Sequence, residues 1–192
     1  MPTPSRTSLE EIVTAGRTVL RAGGLDALTM QRVGDLVGVR ASSLYKHVPS
    51  RAGLVRLVVE DVFADLGARL DAAATTGDPA TDLRALGRVL REFAHEDRYG
   101  FDLLFSPLSQ EASPDSGSFA AASAPILRVA EAIAGPDDAL PAARTLTAWA
   151  AGFLRMELVG DFHLGGDVGE AFDFGIRALV AGIRDVRAVP RE

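Results

Sequence analysis

The sequence predicts an all-α protein, because apolar residues recur three and four positions apart along almost the whole chain. The alternation of apolar and polar residues that marks β-strands is nearly absent. No repeat of fixed period is present, so a solenoid of stacked repeats is not expected. With 192 residues, 47% of them hydrophobic, the chain can fill one core or join a small module to a larger one.

Composition excludes several classes of protein. No apolar run approaches the roughly 18 to 20 residues that a membrane span needs, and residues 1–11 lack the apolar core of a secretion signal. We therefore expect a cytoplasmic protein. The chain has no cysteine, which excludes disulfides, thiol catalysis and most zinc sites, so neither a metal nor a cofactor is expected.

Charge is distributed unevenly along the chain. The net charge is -6, yet residues 1–57 hold eight Lys and Arg against four Asp and Glu, whereas residues 58–192 hold twelve against twenty-two. A basic N-terminal segment beside an acidic remainder is consistent with a nucleic-acid partner. The chain uses arginine for nearly all of its basic residues, and Lys46 is the only lysine. The number of arginines therefore reflects the composition of the whole chain and is not by itself an argument for DNA binding.

The N-terminal segment predicts three helices. Ser8 and Glu11 have the spacing of a capping box, which opens a first helix that ends at Gly23–Gly24. Thr29 caps a short second helix that Gly38 ends, and a third helix follows from about Arg40 to His47. The residues expected to face inward on the first two helices are Leu9, Ile12, Val13, Gly16, Val19, Leu20, Val33, Leu36 and Val37.

The remainder of the chain predicts five longer helices and the segments that connect them. Pro49–Ser50 precedes a fourth helix, whose stripe comprises Leu54, Leu57, Val58, Asp61, Val62, Leu66 and Leu70. A turn at Thr75–Pro79 precedes a helix that extends to Asp97. The elements expected after it are a short apolar segment at Phe101–Phe105, a mobile polar loop over 109–118, and helices over Phe119–Ala134, Ala139–Val159 and Val168–Arg187.

The segment from Thr29 to Leu54 has the spacing of a helix-turn-helix. Two helices too short to be stable alone are joined by a tight turn at Gly38–Val39. Gly34 supplies a small residue where the helices cross, and the residues expected to hold the crossing angle are Val33, Leu36, Val39 and Leu44. Such a pair can place its second helix in the major groove, which is about 12 Å wide.

Polar residues of this segment are candidates for two kinds of DNA contact. Reading of base edges is expected from the start of the recognition helix, at Arg40, Ala41, Ser42 and Ser43. Contact with phosphates is expected from hydroxyls and positive charges nearby, at Thr29, Tyr45, Lys46, His47 and Arg51.

The same stretch, GVRASSLYKHVPSRAGL at residues 38–54, resembles the TetR family of transcriptional regulators. The resemblance implies a three-helix DNA-binding domain over residues 1–52 and a helical effector-binding and dimerisation domain over 53–192. It also implies that Tyr45 and Lys46 contact phosphates, and that the residues at 41–43 face the bases. The sequence departs from the family pattern at Arg40, Val48 and Arg51, where Ser, Phe and Lys are usual.

A second resemblance lies near the C-terminus. Trp149–Gly152, followed by Met156–Leu158 and Gly160–Phe162, is similar to a TetR subgroup with a Trp-x-His-Gly signature, in which Ala151 stands where the subgroup has His. The family resemblance implies a ligand cavity, for which the apolar candidates are Phe93, Phe101, Leu104, Phe105, Leu108, Ile126, Trp149, Phe153 and Met156. Each of these residues is equally typical of an ordinary helical core.

The family resemblance also implies a homodimer through the last two helices. The last helix has a broad apolar face, of which a monomer core explains a part, formed by Phe172, Ile176, Leu179, Val180 and Ile183. Close approach of helices would be allowed by Gly152, Gly175, Ala178 and Gly182. A dimer spans two DNA half-sites.

His95–Glu96–Asp97 is the one stretch that suggests acid-base or metal chemistry. Consecutive helical residues point in different directions, so a solvated helix end is the preferred interpretation. No nucleophile has a base beside it, and we expect no enzyme. The prediction is a DNA-binding repressor released from a pseudo-palindromic operator by a small apolar ligand. The alternatives are a small helical enzyme or interaction module with a purely structural helix-turn-helix, and a regulator that responds to a protein.

Overall fold

The computed structural model describes residues 7–188, and these residues form α-helices and no strand, which confirms the all-α prediction. The helices are α1 Leu9–Ala27, α2 Met30–Val37, α3 Ala41–Leu44, α4 Arg51–Ala73, α5 Pro79–Glu96, α6 Arg98–Leu104, α7 Ser116–Ala134, α8 Ala139–Val159 and α9 Val168–Ala188. A single 3-10 turn, Pro136–Asp138, precedes α8.

The chain divides into two compact units. The first comprises Met1–Ala64 and Asp97–Phe119, and the second comprises Asp65–Glu96 and Ala120–Glu192. The boundary predicted between residues 52 and 53 falls in the first turn of α4, so it does not coincide with these units. As a division between DNA-binding and effector-binding functions, that boundary stays a prediction.

Helix α1 begins as the sequence predicts. The Ser8 hydroxyl accepts from the Glu11 amide at 3.1 Å, and the Glu11 carboxylate accepts from the Ser8 amide at 2.9 Å, which completes the capping box. Gly24 has φ +73°, which breaks the helix where its end is predicted, although a further turn continues to Ala27. Leu9, predicted to face inward, is instead 44% exposed, because it lies in the first turn where few neighbours reach it.

Helices α1 and α4 form the centre of the first unit. Ile12, Leu20 and Leu54 are fully buried there. A Cβ on Gly16 would lie 2.6 Å from Val58 Cγ2, so the two helices approach closely at this glycine. On α4 the predicted stripe is buried apart from Leu57 and the exposed Asp61.

A buried carboxylate connects α1 with α6. Asp97 is 2% exposed; it accepts from Arg17 at 2.9 Å and from Arg21 at 3.0 Å, and it caps α6 through the Gly100 amide at 2.9 Å. Asp61 accepts from the same Arg17 at 3.0 Å, which gives a partner to the charge that interrupts the α4 stripe. The prediction of a solvated helix end is therefore wrong for Asp97.

The polar stretch over 109–118 is anchored to the first unit. The Ser50 hydroxyl hydrogen-bonds to the Glu111 carboxylate, and the Asp115 amide donates to Glu60 at 3.2 Å. Asp115 also accepts from the amide of Ser118 at 2.9 Å, so it caps α7. Helix α7 consequently begins at Ser116, three residues before the predicted Phe119.

Glycines allow close helix packing in the second unit. A Cβ on Gly87 would lie 2.5 Å from Ile176 Cδ1, so α5 and α9 touch at this position. A Cβ on Gly175 would overlap the ring of Trp149, which brings α9 against α8. Gly175 thus serves packing within the chain, whereas Gly152 and Gly182 have no atom within 4 Å of a built Cβ.

Candidate nucleic-acid interface and effector region

Helices α2 and α3 meet at a crossing that requires glycine. A Cβ on Gly34 would lie 2.8 Å from the Val39 carbonyl oxygen and 3.2 Å from the Ala41 amide, so any side chain would push the recognition helix away. Gly38 ends α2 with φ +75°, a left-handed conformation that favours glycine. The predicted role of Gly34 at the crossing is confirmed.

The recognition helix is shorter than predicted. It comprises only Ala41–Leu44, and a hydrogen-bonded turn follows in which the amides of His47 and Val48 donate to the Leu44 carbonyl. Leu44 and Val48 are buried and hold this segment against the core. The prediction that Leu36 helps to fix the crossing angle of the two helices is wrong, because Leu36 is 56% exposed on the outer side of α2.

The predicted reading residues lie at the start of α3, and three of them, Arg40, Ser42 and Ser43, are exposed. Arg40 occupies the N-cap position but makes no side-chain cap hydrogen bond, so its guanidinium remains available for other partners. Ala41 is half-buried at the start of the helix, whereas Ser42 and Ser43 are exposed beside it. The short polar side chains therefore lie where a base edge could approach them.

The predicted phosphate contacts fall into two groups. Tyr45, Lys46 and His47 are exposed in the turn that follows α3. Thr29 and Arg51 instead make contacts within the chain. The Thr29 hydroxyl accepts from the Arg32 amide at 3.3 Å and caps α2.

Arg51 reaches back to the C-terminal end of α1. Its Nε donates to the Leu28 carbonyl at 2.8 Å and its Nη2 donates to the Leu25 carbonyl at 2.6 Å. A cation at the C-terminal end of a helix satisfies free carbonyls and opposes the helix dipole. The contacts of Arg51 with the two carbonyls are observed, whereas a contact of Arg51 with phosphate stays a prediction.

The predicted effector residues lie in both compact units. The first unit contains the buried Phe101, whose ring meets Phe105 edge-on at 5.3 Å between centroids, together with the half-buried Leu104 and Leu108. The members that lie in the second unit are Phe93, Ile126, Trp149, Phe153 and Met156. A common ligand cavity lined by all nine residues stays a prediction.

Two aromatic residues that sequence reasoning did not assign to the effector region join Trp149 in the second unit. Phe172 stacks on Trp149 with 5.1 Å between ring centroids. Phe162 contacts Phe153 with 4.8 Å between ring centroids. Phe172 is 2% exposed, so it belongs to the part of the apolar face of the last helix that the core of the single chain explains. The signal for this contact was Gly175, which leaves space for the Trp149 ring one turn after Phe172.

An ion-pair cluster borders these aromatic rings. Glu157 accepts three hydrogen bonds from the Nε and Nη2 of Arg91, and its Oε1 lies 3.2 Å from His95 Nε2. Burial alone would raise the pKa of Glu157, but hydrogen bonds from Arg91 and His95, together with their charges, outweigh it and lower that pKa. Glu96 pairs elsewhere, with Arg69 at 2.7 Å, so the three consecutive residues do point in different directions.

The described part of the chain contains no group of three or more His, Asp or Glu side chains that could hold a metal ion. Within residues 7–188, no helix has the length and apolar character needed to cross a membrane.

The α2–α3 pair, with its glycine crossing and exposed polar residues, places the chain among helix-turn-helix DNA-binding proteins. Two family models match it: "Bacterial regulatory proteins, tetR family" over residues 12–58, and "Tetracyclin repressor-like, C-terminal domain" over residues 83–179. The second match alone spans half of the chain. The chain belongs to the TetR family of transcriptional regulators, a class whose members are generally not enzymes.

Similar proteins agree with this assignment. The HTH-type transcriptional regulator Rv1816 of Mycobacterium tuberculosis is 31% identical over 110 residues, which cover 55% of this chain and 47% of that protein. The chain thus spans about half the length of the curated relatives it matches first. The uncharacterized HTH-type transcriptional regulator Rv0681 of the same species is 26% identical over 160 residues, covering 82% of this chain and 73% of that protein.

Solved structures share the fold. A variant of TetR from Acinetobacter baumannii AYE, in complex with minocycline, superposes with a TM-score of 0.73 at 20% identity, covering 96% of this chain and all of that one. The transcriptional regulator SCO7222 from Streptomyces coelicolor also gives a TM-score of 0.73 at 20% identity, with 94% and 99% covered.

Proposed function

We propose that this protein is a dimeric repressor that occupies a pseudo-palindromic operator in bacterial DNA and is released by a small apolar ligand. The observation that carries the proposal is the exposed polar surface of α3 and its following turn, which a buried Leu44 and Val48 hold outward. Repression follows from occupancy, since a bound dimer excludes other proteins from the operator. The site of action is the cytoplasm, where the nucleoid lies.

Within this surface we assign two roles. Arg40, Ser42 and Ser43 read base edges, with Ala41 beside them close enough for apolar contact with a thymine methyl. Tyr45, Lys46 and His47 contact phosphates and fix the register of the protein on the duplex, and Thr29 and Arg51 are the further candidates. Phosphate contacts contribute affinity without sequence preference, whereas base contacts create the preference.

The assignment is tested by gel-shift titration on operators obtained by selection from random DNA, at several salt concentrations. Lys46→Gln should weaken binding to all sequences and lower the slope of log affinity against log salt by about 0.9. Ser42→Ala and Ser43→Ala should change the ranking of operators with little change in that slope. Failure of the purified protein to retain any fragment, including the DNA upstream of its own gene, would contradict DNA binding. Equal effects of all three variants on every sequence would contradict the division of roles.

We assign the dimer interface to the outer surfaces of α8 and α9. Apolar and small residues are exposed there at helical spacing, and they comprise Ala148, Gly152 and Val159 on α8 and Phe174, Ala178, Gly182 and Val186 on α9. Phe174 is 66% exposed in the single chain. Covering its ring with a second copy of the chain would bury apolar surface and so favour association. An open space above Gly152 and Gly182 would let the helices of two copies approach closely.

Analytical ultracentrifugation tests this interface. Phe174→Glu should convert the dimer to a monomer with an unchanged circular dichroism spectrum, because a buried unpaired charge opposes association. Leu127→Glu is the matched control, since Leu127 is an exposed apolar residue on α7, outside the proposed surface. A dimer that survives Phe174→Glu, or that Leu127→Glu disrupts equally, would overturn the assignment.

We assign ligand sensing to the apolar residues predicted from the sequence, with the Trp149 cluster as the most readily tested part. A ligand shifts operator binding only through its different affinity for the binding and non-binding conformations. Trp149 is the single tryptophan of the chain, so its fluorescence reports on this cluster alone. Minocycline, which the Acinetobacter baumannii TetR variant binds, and 1-anilinonaphthalene-8-sulfonate are suitable first probes.

Binding in this region should shift the tryptophan emission saturably and should reduce operator affinity in the same concentration range. Ala151→His, which restores the subgroup signature, should alter the response, although Ala151 is buried in α8 and the larger side chain tests the packing as well. A panel of apolar compounds that releases the operator without any change at Trp149 would place the ligand elsewhere. Release by a protein alone would favour a regulator that responds to a protein.

A further inference from the structure

A shallow pocket lies on the seam between α5 and α9, on the surface of the second unit. It encloses about 160 Å³. Three arginines surround it, Arg84 from α5 and Arg177 and Arg184 from α9, and its floor is formed by Ile176, Val180 and Ala181. The close contact of α5 and α9 at Gly87 fixes the two sides of the pocket relative to each other.

None of the three arginines forms a salt bridge within 4 Å to a carboxylate of residues 7–188. Arg84 Nη2 donates to the Thr81 hydroxyl at 3.2 Å. Several other arginines of the same unit form salt bridges, such as Arg128 with Asp71 at 2.9 Å. Because residues 58–192 carry an excess of acidic residues, three arginines around one pocket are not explained by a general surplus of positive charge.

Asp78 is a carboxylate whose charge interacts with those of Arg184 and Arg84. It is engaged as the cap of α5, since its Oδ2 accepts from the Thr81 amide at 2.9 Å. The hydrogen bonds from Thr81 chiefly lower the pKa of Asp78, and the positive charges of Arg184 and Arg84 lower it further. The three guanidinium groups outnumber Asp78 and Asp173, which lies four residues before Arg177 on α9, so the pocket keeps a net positive charge.

We propose that this pocket binds a small phosphate monoester, with the phosphate held by the three arginines and the organic group on the apolar floor. Guanidinium groups bind phosphate oxygens through paired, charge-assisted hydrogen bonds, and a dianion uses more than one of them. The volume is below the roughly 300 to 1,000 Å³ of sites for drug-sized ligands, so a phosphate with a single ring or short chain is the size that fits.

The site stays accessible in the proposed dimer. Each residue advances a helix by about 100°, so Arg177 and Arg184 lie about a third of a turn from Ala178 and Gly182 of the dimer surface. Phe174 of that surface precedes Arg177 by three residues, so Arg177 lies at the edge of the proposed interface and Arg184 lies farther from it. Phosphate binding is tested with the full-length protein alone, without DNA.

Isothermal titration calorimetry in phosphate-free buffer provides the test. Phenyl phosphate should bind one per chain with a dissociation constant below about 1 mM, and more tightly than inorganic phosphate, while phenol should give no saturable signal. Arg177→Gln and Arg184→Gln should each weaken phenyl phosphate binding about tenfold, the size expected for one charge-assisted contact. Arg144→Gln is the matched control, because Arg144 is an exposed arginine of α8 away from the pocket.

Circular dichroism melting curves show whether each exposed substitution leaves the fold intact, and the two pocket variants test the site independently. Three results would overturn the proposal: no saturable phenyl phosphate binding at about 10 mM, equal weakening by Arg144→Gln, or full binding by both pocket variants. A loss of DNA binding by Arg177→Gln and Arg184→Gln in the absence of small anions would assign the arginines to the DNA backbone and would overturn it as well.

Discussion

Arg51 Nε lies 2.8 Å from the carbonyl oxygen of Leu28, and this contact ties the first turn of α4 to the C-terminal end of α1. The last turn of α1 has no basic residue of its own, so Arg51 supplies the positive charge from another helix. Arg51, whose positive charge led us to predict a phosphate contact, thus has an internal role in this chain.

We expect Arg51→Gln to lower the free energy of unfolding by about 1 kcal/mol, because two hydrogen bonds from an exposed guanidinium are lost and solvent screens part of their energy. Urea denaturation measures this loss. The slope of operator affinity against salt should change less than in Lys46→Gln. Unchanged stability combined with a slope reduced by about 0.9 would instead support direct phosphate contact by Arg51.

Asp97 should be the most sensitive charged residue of the first unit. Asp97→Asn removes a fully buried charge that two arginines share, and we expect it to cost about 3 kcal/mol, the size associated with breaking a buried ion pair. Asp61→Asn is the comparison, because Asp61 binds the same Arg17 but is 47% exposed, and its loss should cost less than about 1 kcal/mol. Equal costs in thermal or urea unfolding would contradict the role assigned to burial.

Local sequence signals predicted much of the fold. The capping box of Ser8 and Glu11, the glycine crossing at Gly34 and the end of α2 at Gly38 depend on residues within a few positions, and all three are present. Arg40, Ser42 and Ser43 are exposed and Leu44 is buried, while their contacts with DNA stay a prediction.

The failures involve contacts between residues distant in sequence. The sequence pattern could not predict an ion-pair partner for Asp97, because Arg17 lies 80 positions earlier. The sequence pattern did not separate the core-facing from the partner-facing residues of the last helix, because the Trp149 contact of Phe172 comes from another helix. Periodicity likewise cannot show that α3 ends at Leu44, where tertiary packing replaces the helix by a turn.

Stability at acidic pH should depend on Glu157. Its pKa is lowered in the folded protein, so its stabilising contribution is fully present above the ordinary glutamate pKa of 4.5 and is lost as the pH falls through the lower folded value. The difference in free energy of unfolding between the wild type and Glu157→Gln should therefore be constant near about pH 5 to 6 and shrink towards about pH 3.

The measurement is urea denaturation at half-unit pH steps. Glu131→Gln is the control, because Glu131 is exposed on α7. The free energy of unfolding of this variant should follow the same pH dependence as that of the wild type. A Glu157→Gln curve that is also parallel to the wild type throughout the acidic range would show that the contacts from Arg91 and His95 do not stabilise the carboxylate.

Gly34→Ala tests whether the helix crossing sets DNA binding. The added Cβ would lie 2.8 Å from the Val39 carbonyl oxygen, and this backbone atom can yield only if α3 moves. We expect a loss of about 1 to 3 kcal/mol in stability, as for other overpacked sites, and a larger loss of operator affinity than stability alone explains, because the recognition residues are displaced. Asp35→Ala, an exposed change at the next position of α2, should leave both within about 0.5 kcal/mol. A folded Gly34→Ala protein that binds its operator with wild-type affinity would show that α3 is not positioned by this contact.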